Sequence, residues 1–315
     1  LLFLSAPSSV QAQLSTWKMG GSGLPWAGRD TVQVMIDFAS APGTIQPLVI
    51  APGSNIISLL DDWSFLRQPS ELGYVDGERP RLWKWNEGNG DPTENGVALI
   101  DADSSTYNSS KAEGVEKQFF TIDFAVPMPA NIFGFHTPSG GHRSDGTALH
   151  TDATPAFQIS VQEETSDVFA IKGPLALEKI IAEPRENLIA DVRIEFPRQY
   201  VRFFRWARKL SIADEEVLAR CGSQSHSTGG VCAGQGNQAR ALLGTISEFE
   251  VYGEGVPKRV IYKSKITELG PEQNFGRLFF ATTLLRLVEG VTVEAADARA
   301  SVRIEVRTGR DDNPN

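Results

Sequence analysis

Asp101, Asp103 and Thr106 bring three oxygen-bearing side chains within six positions of one another. A turn can fold such groups around one hard cation, because Ca2+ takes about six to eight oxygens, carbonyls included. The same spacing also suits an Asx-turn with no metal, in which both aspartates accept backbone N–H groups. A second polar run, 135–146, gathers His136, His142, Arg143 and Asp145, and His150 follows. Imidazole is a common ligand of transition metals. The spacing matches no established metal site, so the run reads as a polar surface loop whose His and Arg are candidates for ligand contact. Trp83 and Trp85 fall at alternate positions and would share one strand face, either stacking on a sugar ring or packing as core and edge. Cys221 and Cys232 bracket a segment rich in Gly and Ser. In an exported protein such a pair reads as a disulfide, worth about 3 kcal/mol for so short a loop. Two free thiols, or a metal pair with His226, are the alternatives, although there is no C-x-x-C. The chain carries no G-x-S-x-G, no H-E-x-x-H, no P-loop and no G-x-G-x-x-G, and no carboxylate pair stands in a catalytic context. Gly20-Gly21-Ser22-Gly23 lacks the Lys of a phosphate loop and reads as a flexible lead-in.

The elements that must position these groups are mostly strands. Apolar and polar residues alternate over 31–38, 118–124, 156–161, 190–196, 200–206 and 246–252. Period-two alternation predicts half-buried strands. Pro and Gly between them, as in Val126-Pro127-Met128-Pro129 and Thr137-Pro138-Ser139-Gly140-Gly141, predict turns. One short helix is expected over 212–220, with Ser211 as N-cap and Asp214 completing a capping box. Residues 55–60 read as a helical turn or a buried strand. No helix–strand alternation of the doubly wound kind is present, so the predicted class is mainly β, a sandwich or jelly roll.

The chain has 315 residues and a net charge of −9. Acidity of that size repels nucleic-acid phosphates and anionic lipid headgroups, which argues against nucleic acid as a partner. No segment has the roughly 20 apolar residues that would insert through a bilayer. The run Leu1–Ala6, followed by Val10-Gln11-Ala12, resembles the back half of a secretory signal peptide cut after Ala12; a buried first strand is the alternative. The protein is therefore expected to be secreted, extracellular or on a cell surface. Gly253-Glu254-Gly255-Val256-Pro257 marks a boundary, after which strands are expected at 259–262, 277–281 and 301–307. The organisation expected is a signal remnant at 1–12, lead-in strands at 13–44, a jelly roll at 45–255 and a partial second β-sandwich unit at 256–315.

Four stretches resemble the discoidin family, also called coagulation-factor C-type or galactose-binding-like domains. Ala98-Leu99-Ile100-Asp101-Ala102-Asp103-Ser104-Ser105-Thr106-Tyr107 looks like the family's D-G-D-x-x-T turn. Phe119–Ala125 is similar to its strand ending in D-L-G, and Tyr200-Val201-Arg202-Phe203-Phe204 to its R-Y-V-R strand. Ile246-Ser247-Glu248-Phe249-Glu250-Val251-Tyr252-Gly253 resembles its closing strand. The sequence departs from the pattern where Ala102 and Ala125 replace glycines, and in the inserted Cys221–Cys232 loop. The resemblance implies a jelly-roll sandwich and a structural calcium at Asp101, Asp103 and Thr106, with Glu248 completing the site. It also implies glycan binding by loops at one end of the sandwich, without catalysis. Tyr262-Lys263-Ser264-Lys265-Ile266 and Arg307-Thr308-Gly309 loosely resemble segments that follow such domains in large bacterial surface proteins. The expected roles are binding an extracellular glycan or surface protein, self-association within an extracellular assembly, or service as the accessory domain of a larger glycan-active enzyme.

Overall fold

A computed structural model describes residues 16–66, 79–84, 96–108, 119–142, 146, 148–165, 175–221, 244–268 and 277–307. The signal-like start, Trp85, Arg143 and Cys232 lie outside them. The first strands are β1 (Asp30–Val34), β2 (Ile36–Asp37), β3 (Gln46–Pro47), β4 (Ile50–Asn55), β5 (Ser64–Leu66) and β6 (Arg81–Lys84). Then come β7 (Phe119–His136), β8 (Phe157–Gln162), β9 (Lys179–Ala182) and β10 (Val192–Arg208). Helix α1 (Ile212–Cys221) precedes β11 (Glu248–Gly255), β12 (Ile261–Ser264), β13 (Leu285–Val288) and β14 (Val291–Glu294). The fold is mainly β, as the alternation predicts.

Eight strands form one hydrogen-bonded sheet, ordered β4-β11-β7-β10-β8-β9, with β6 pairing β7 and β5 pairing β6. That sheet doubles back on itself. Phe120 and Phe135 stand fifteen positions apart on β7, about 50 Å for a straight strand. Yet their rings lie 5.8 Å and 6.0 Å from the same Trp206 ring. β7 and β10 therefore each cross from one layer to the other. The larger layer holds β6, the first half of β7, the second half of β10, β8 and β9; the smaller holds β4, β11 and the other halves. Phe124, Phe133, Phe204 and Phe249 fill the space between them, with Phe133 stacked 5.3 Å from Phe204. This is the two-layered jelly-roll arrangement expected from the sequence.

Two readings of the sequence are corrected here. Val126-Pro127-Met128-Pro129 is not a turn, and 190–196 and 200–206 are not separate strands, because β7 and β10 run straight through these places. Register slips between Asp123 and Met128 on β7, and between Glu195 and Gln199 on β10, mark bulges at the bend. A bulge bends a strand and leaves a residue out of the ladder, so Pro127 and Pro197 are tolerated there without a missing hydrogen bond. At the same bend Gly253 is required: a Cβ on it would sit 1.8 Å from the Pro129 carbonyl oxygen.

α1 forms as read. The Asp214 N–H donates to Ser211 Oγ at 3.1 Å, and the Ser211 N–H donates back to Asp214 Oδ2 at 3.1 Å, the reciprocal bonds of a capping box. After Gly255 the outcome differs from expectation. β12 pairs with β1, joining the lead-in to the segment after the jelly roll. Residues 277–281 and 301–307 are not strands; the ladder there is the β13–β14 hairpin. Alternation signals a pleated, half-buried face, but a strand also needs a neighbour for its N–H groups. Phe279, Phe280, Val302 and Val306 are all exposed. Among the described residues no helix is long and apolar enough to cross a membrane.

Candidate functional site

The opening and closing ends of the sandwich meet at the acidic corner. Asp101 Oδ1 accepts the Asp103 N–H at 3.0 Å, and Asp101 Oδ2 accepts the Thr106 hydroxyl at 2.8 Å. Asp103 Oδ1 accepts both the N–H and the hydroxyl of Ser105. Glu248 reaches in from β11, where its Oε2 accepts the Ala102 N–H at 3.0 Å. The four residues expected to share this corner therefore do share it, held by the turn's own hydrogen bonds. Ala102 has φ of 59°, the left-handed conformation that glycine adopts freely. Glu248 is buried, and burial pushes its carboxyl up to about 8. The neighbouring charges, Asp101, Glu250 and Asp103, push it the same way. Among the described residues no three His, Cys, Asp or Glu side chains gather as a metal cluster. Every side chain offered at this corner is nonetheless an oxygen donor, the chemistry a hard cation takes.

A larger polar array lies next to this corner, on the outer face of the smaller layer. The register sets Glu248 opposite His136, Glu250 opposite Gly134, and Tyr252 opposite Ile132. On the far side of β7, Arg193 stands opposite Gly134 and Glu195 opposite Ile132. Odd and even positions separate cleanly: Phe133, Phe135, Phe249 and Val251 are buried inside. His136 Nε2 lies 2.8 Å from Glu250 Oε2, and its Nδ1 lies 3.3 Å from Asp191 Oδ1. Burial raises the titration of the Tyr252 phenol, and the neighbouring Glu250 raises it further. The Arg193 guanidinium stands 5.2 Å from the Tyr252 ring centroid. The result is a connected row, Asp191–His136–Glu250, running from the residue before β10 across β7 to β11, with the Tyr252 ring two positions along β11 and Arg193 beside it.

The remaining candidates do not join it. His142 bridges Ala148 through the backbone and forms no cluster with His136, whose partners are instead Glu250 on β11 and Asp191 just before β10. Trp83 sits on β6 opposite Thr121, in the larger layer. Trp85, Arg143 and the Cys221–Cys232 bridge fall outside the described residues. Glu250, Tyr252, Arg193 and Asp191 were not singled out from the sequence. A signal existed for two of them: in a closing strand that buries Phe249 and Val251, positions 248, 250 and 252 must share the other face. Which strand lies beside them is a matter of tertiary pairing, and no local pattern reveals it.

No known family matches the sequence, and no curated protein matches it. Solved structures share part of the chain path. A chitosan-binding module from the chitosanase/glucanase of Paenibacillus sp. IK-5, solved with chitotriose, is 14% identical, with a TM-score of 0.33 over 57% of this chain and 98% of that one. The family 32 carbohydrate-binding module of Clostridium perfringens NanJ, solved with galactose, is 12% identical, with a TM-score of 0.31 over 56% and 96%. Another Clostridium perfringens module, solved with GalNAc-β-1,3-galactose, is 11% identical, with a TM-score of 0.33 over 57% and 99%. Likeness at this level assigns no ligand and no site residue to the present chain.

Proposed function

We propose that this chain is a secreted or cell-surface, non-catalytic module that binds an extracellular glycan through the outer face of its smaller layer. The observation that carries the reading is the Asp191–His136–Glu250 row with the Tyr252 ring and Arg193 beside it. Sugars are bound by a few fixed hydrogen-bonding groups around an aromatic ring, and this face supplies both. Asp191, His136 and Glu250 are already tied to one another, so little ordering cost is added there when a ligand arrives.

Calorimetric titration of the protein with galactose, lactose and chitotriose tests the proposal. Saturable binding to at least one sugar is expected, weakened about tenfold in Tyr252→Ala, the upper end of what one ring contact supplies. Lack of binding to all three, or binding indifferent to Tyr252→Ala and Glu250→Gln, would overturn it.

The acidic corner is proposed to take a structural calcium on Asp101, Asp103, Thr106 and Glu248. The support is an all-oxygen donor set and a buried Glu248 carboxyl whose charged neighbours are acids. A cation there would relieve that repulsion and pin the turn to β11. Added calcium should raise the melting temperature and EDTA should lower it; identical melting curves in both would exclude the ion.

A second reading, a subunit of an extracellular assembly, is favoured by one observation. Phe279, Phe280, Val302, Ile304 and Val306 stand exposed in segments without a packed partner among the described residues. Exposed apolar surface of this kind marks an interface. Sedimentation at increasing protein concentration should show self-association under this reading and a constant monomer under the first.

A further inference from the structure

β1 and β12 make a two-stranded sheet that is not hydrogen-bonded to the eight-stranded sheet. Its register runs Asp30 to Ser264, Val32 to Lys263, Gln33 to Tyr262 and Val34 to Ile261. The pair is antiparallel, so the chain arriving at Asp30 and the chain departing from Ser264 leave from the same end. The ring of Tyr262 backs the ladder: it lies 5.3 Å from Trp26 and 6.2 Å from Phe38, and its hydroxyl donates to the Trp26 carbonyl. At the mouth, the Lys265 N–H donates to the Arg29 carbonyl at 2.7 Å, and Lys265 Nζ donates to the Gly28 carbonyl at 3.0 Å. Val32, Val34 and Met35 are buried against the sandwich core.

From this geometry we propose that β1 and β12 are a tension-released clasp, which opens before the sandwich when the two chain ends are pulled apart. Load applied outside residues 30 and 264 falls on the outermost bonded pair alone. When that pair yields, the next one bears the load, so the ladder peels one pair at a time. The sandwich resists longer. Its first and last strands, β4 and β11, also meet at one end, with Ile50 opposite Gly255. β11 is held on its other side by β7, however, whereas β1 and β12 each pair with one strand alone. Opening the clasp frees residues 30–49 and 260–264, about 85 Å of chain at roughly 3.4 Å per residue, since Lys258 and Arg259 stay bonded to the Pro127 and Ala125 carbonyls. The clasp thus gives slack to whatever the chain ends connect while the binding face stays folded.

The experiment is force spectroscopy on the full chain with handles at its two ends. A first transition of about that extension is expected at lower force than the main unfolding event. Paired antiparallel positions stand about 4.5–5.5 Å apart at Cα, within disulfide range, so Asp30→Cys with Ser264→Cys locks the mouth. Under oxidising conditions the double variant should lose the first transition and regain it on reduction. Tyr262→Ala, which removes the ring behind the ladder, should lower the force of the first transition and leave the second unchanged. A chain that opens in one step overturns the proposal, as does a first step that neither the bridge nor Tyr262→Ala alters.

Discussion

The sandwich has two outer faces made by the same alternation of residues. On the smaller layer that face is Arg193, Glu195, His136, Glu250 and Tyr252, half-exposed or open. On the larger layer it is Thr121, Asp123, Arg205, Ser160 and Gln158, all buried. The segment before β9 covers it: the Leu177 N–H donates to Ser160 Oγ, and Arg205 donates to the Leu175 carbonyl. Arg205 also donates to Thr121 Oγ1, and its guanidinium stands 5.0 Å from the Phe119 ring centroid. Burial lowers its titration to about 10, so it remains a cation at neutral pH. Deeper at the bend, Arg202 clamps both oxygens of the fully buried Asp123, at 2.7 and 3.0 Å. Polar groups on a covered face are spent on one another and hold the fold, whereas those on the open face are available to a ligand. An outward-pointing charge in a strand pattern is therefore no guide to function until its cover is known.

The sharpest test of the contrast is to delete one partner on each face. Arg202→Ala leaves the Asp123 carboxylate buried without its guanidinium, and urea denaturation should show a loss of about 3–5 kcal/mol. Glu250→Gln breaks the contact with His136 on the open face, where an ion pair is worth about 0–1 kcal/mol. Its effect on stability should be correspondingly small, although it weakens sugar binding. Equal losses from the two substitutions would dissolve the distinction. Between these extremes lie the two alanines with left-handed backbones, Ala125 at φ 66° and Ala102 at φ 59°. Ala125 is fully buried at the bend, its N–H held by Asp123 Oδ1 at 2.7 Å; Ala102 sits in the exposed turn. Their strain is set by the backbone and not by the surroundings. Ala125→Gly and Ala102→Gly should therefore each raise the stability measured by urea denaturation by a similar amount, about 1 kcal/mol.

Those alanines also show what the sequence could say. The resemblance placed glycines at 102 and 125, and both backbones keep the glycine conformation although the side chain has changed. The capping box at Ser211 and Asp214 was legible because it is local, whereas the meeting of Glu248 with the Asp turn, 146 positions away, was expected from the resemblance alone. Pro127 and Pro197 misled, because a proline at a bulge looks in sequence like a proline in a turn. The outer-face row was half legible: Glu250 and Tyr252 follow from alternation on β11. Their partners His136, Asp191 and Arg193 come from strands more than fifty positions away, where nothing local fixes the neighbour.

The smallest effect separates the two environments by charge alone. Asp37 is largely solvated; its Oδ1 accepts the N–H groups of Ala39 and Ser40, and its Oδ2 accepts Gln46 Nε2. Bonding from Ser40 and then Gln46 lowers its titration from 3.8 to about 2. Asp123 moves the other way: burial raises it, with Arg202 pulling it back. The signs follow from linkage. For Asp37 the folded chain holds the ionised form more tightly, so its contribution is complete above 3.8 and fades as pH falls toward 2. For Asp123 the folded chain favours the protonated form, so the ionised state becomes a cost as pH rises past 3.8. Urea midpoints measured from pH 2 to pH 5 should accordingly rise less steeply in Asp37→Asn than in the parent protein, and more steeply in Asp123→Asn. If both substitutions change the slope in the same direction, solvation and cover do not govern these carboxylates as the two faces imply.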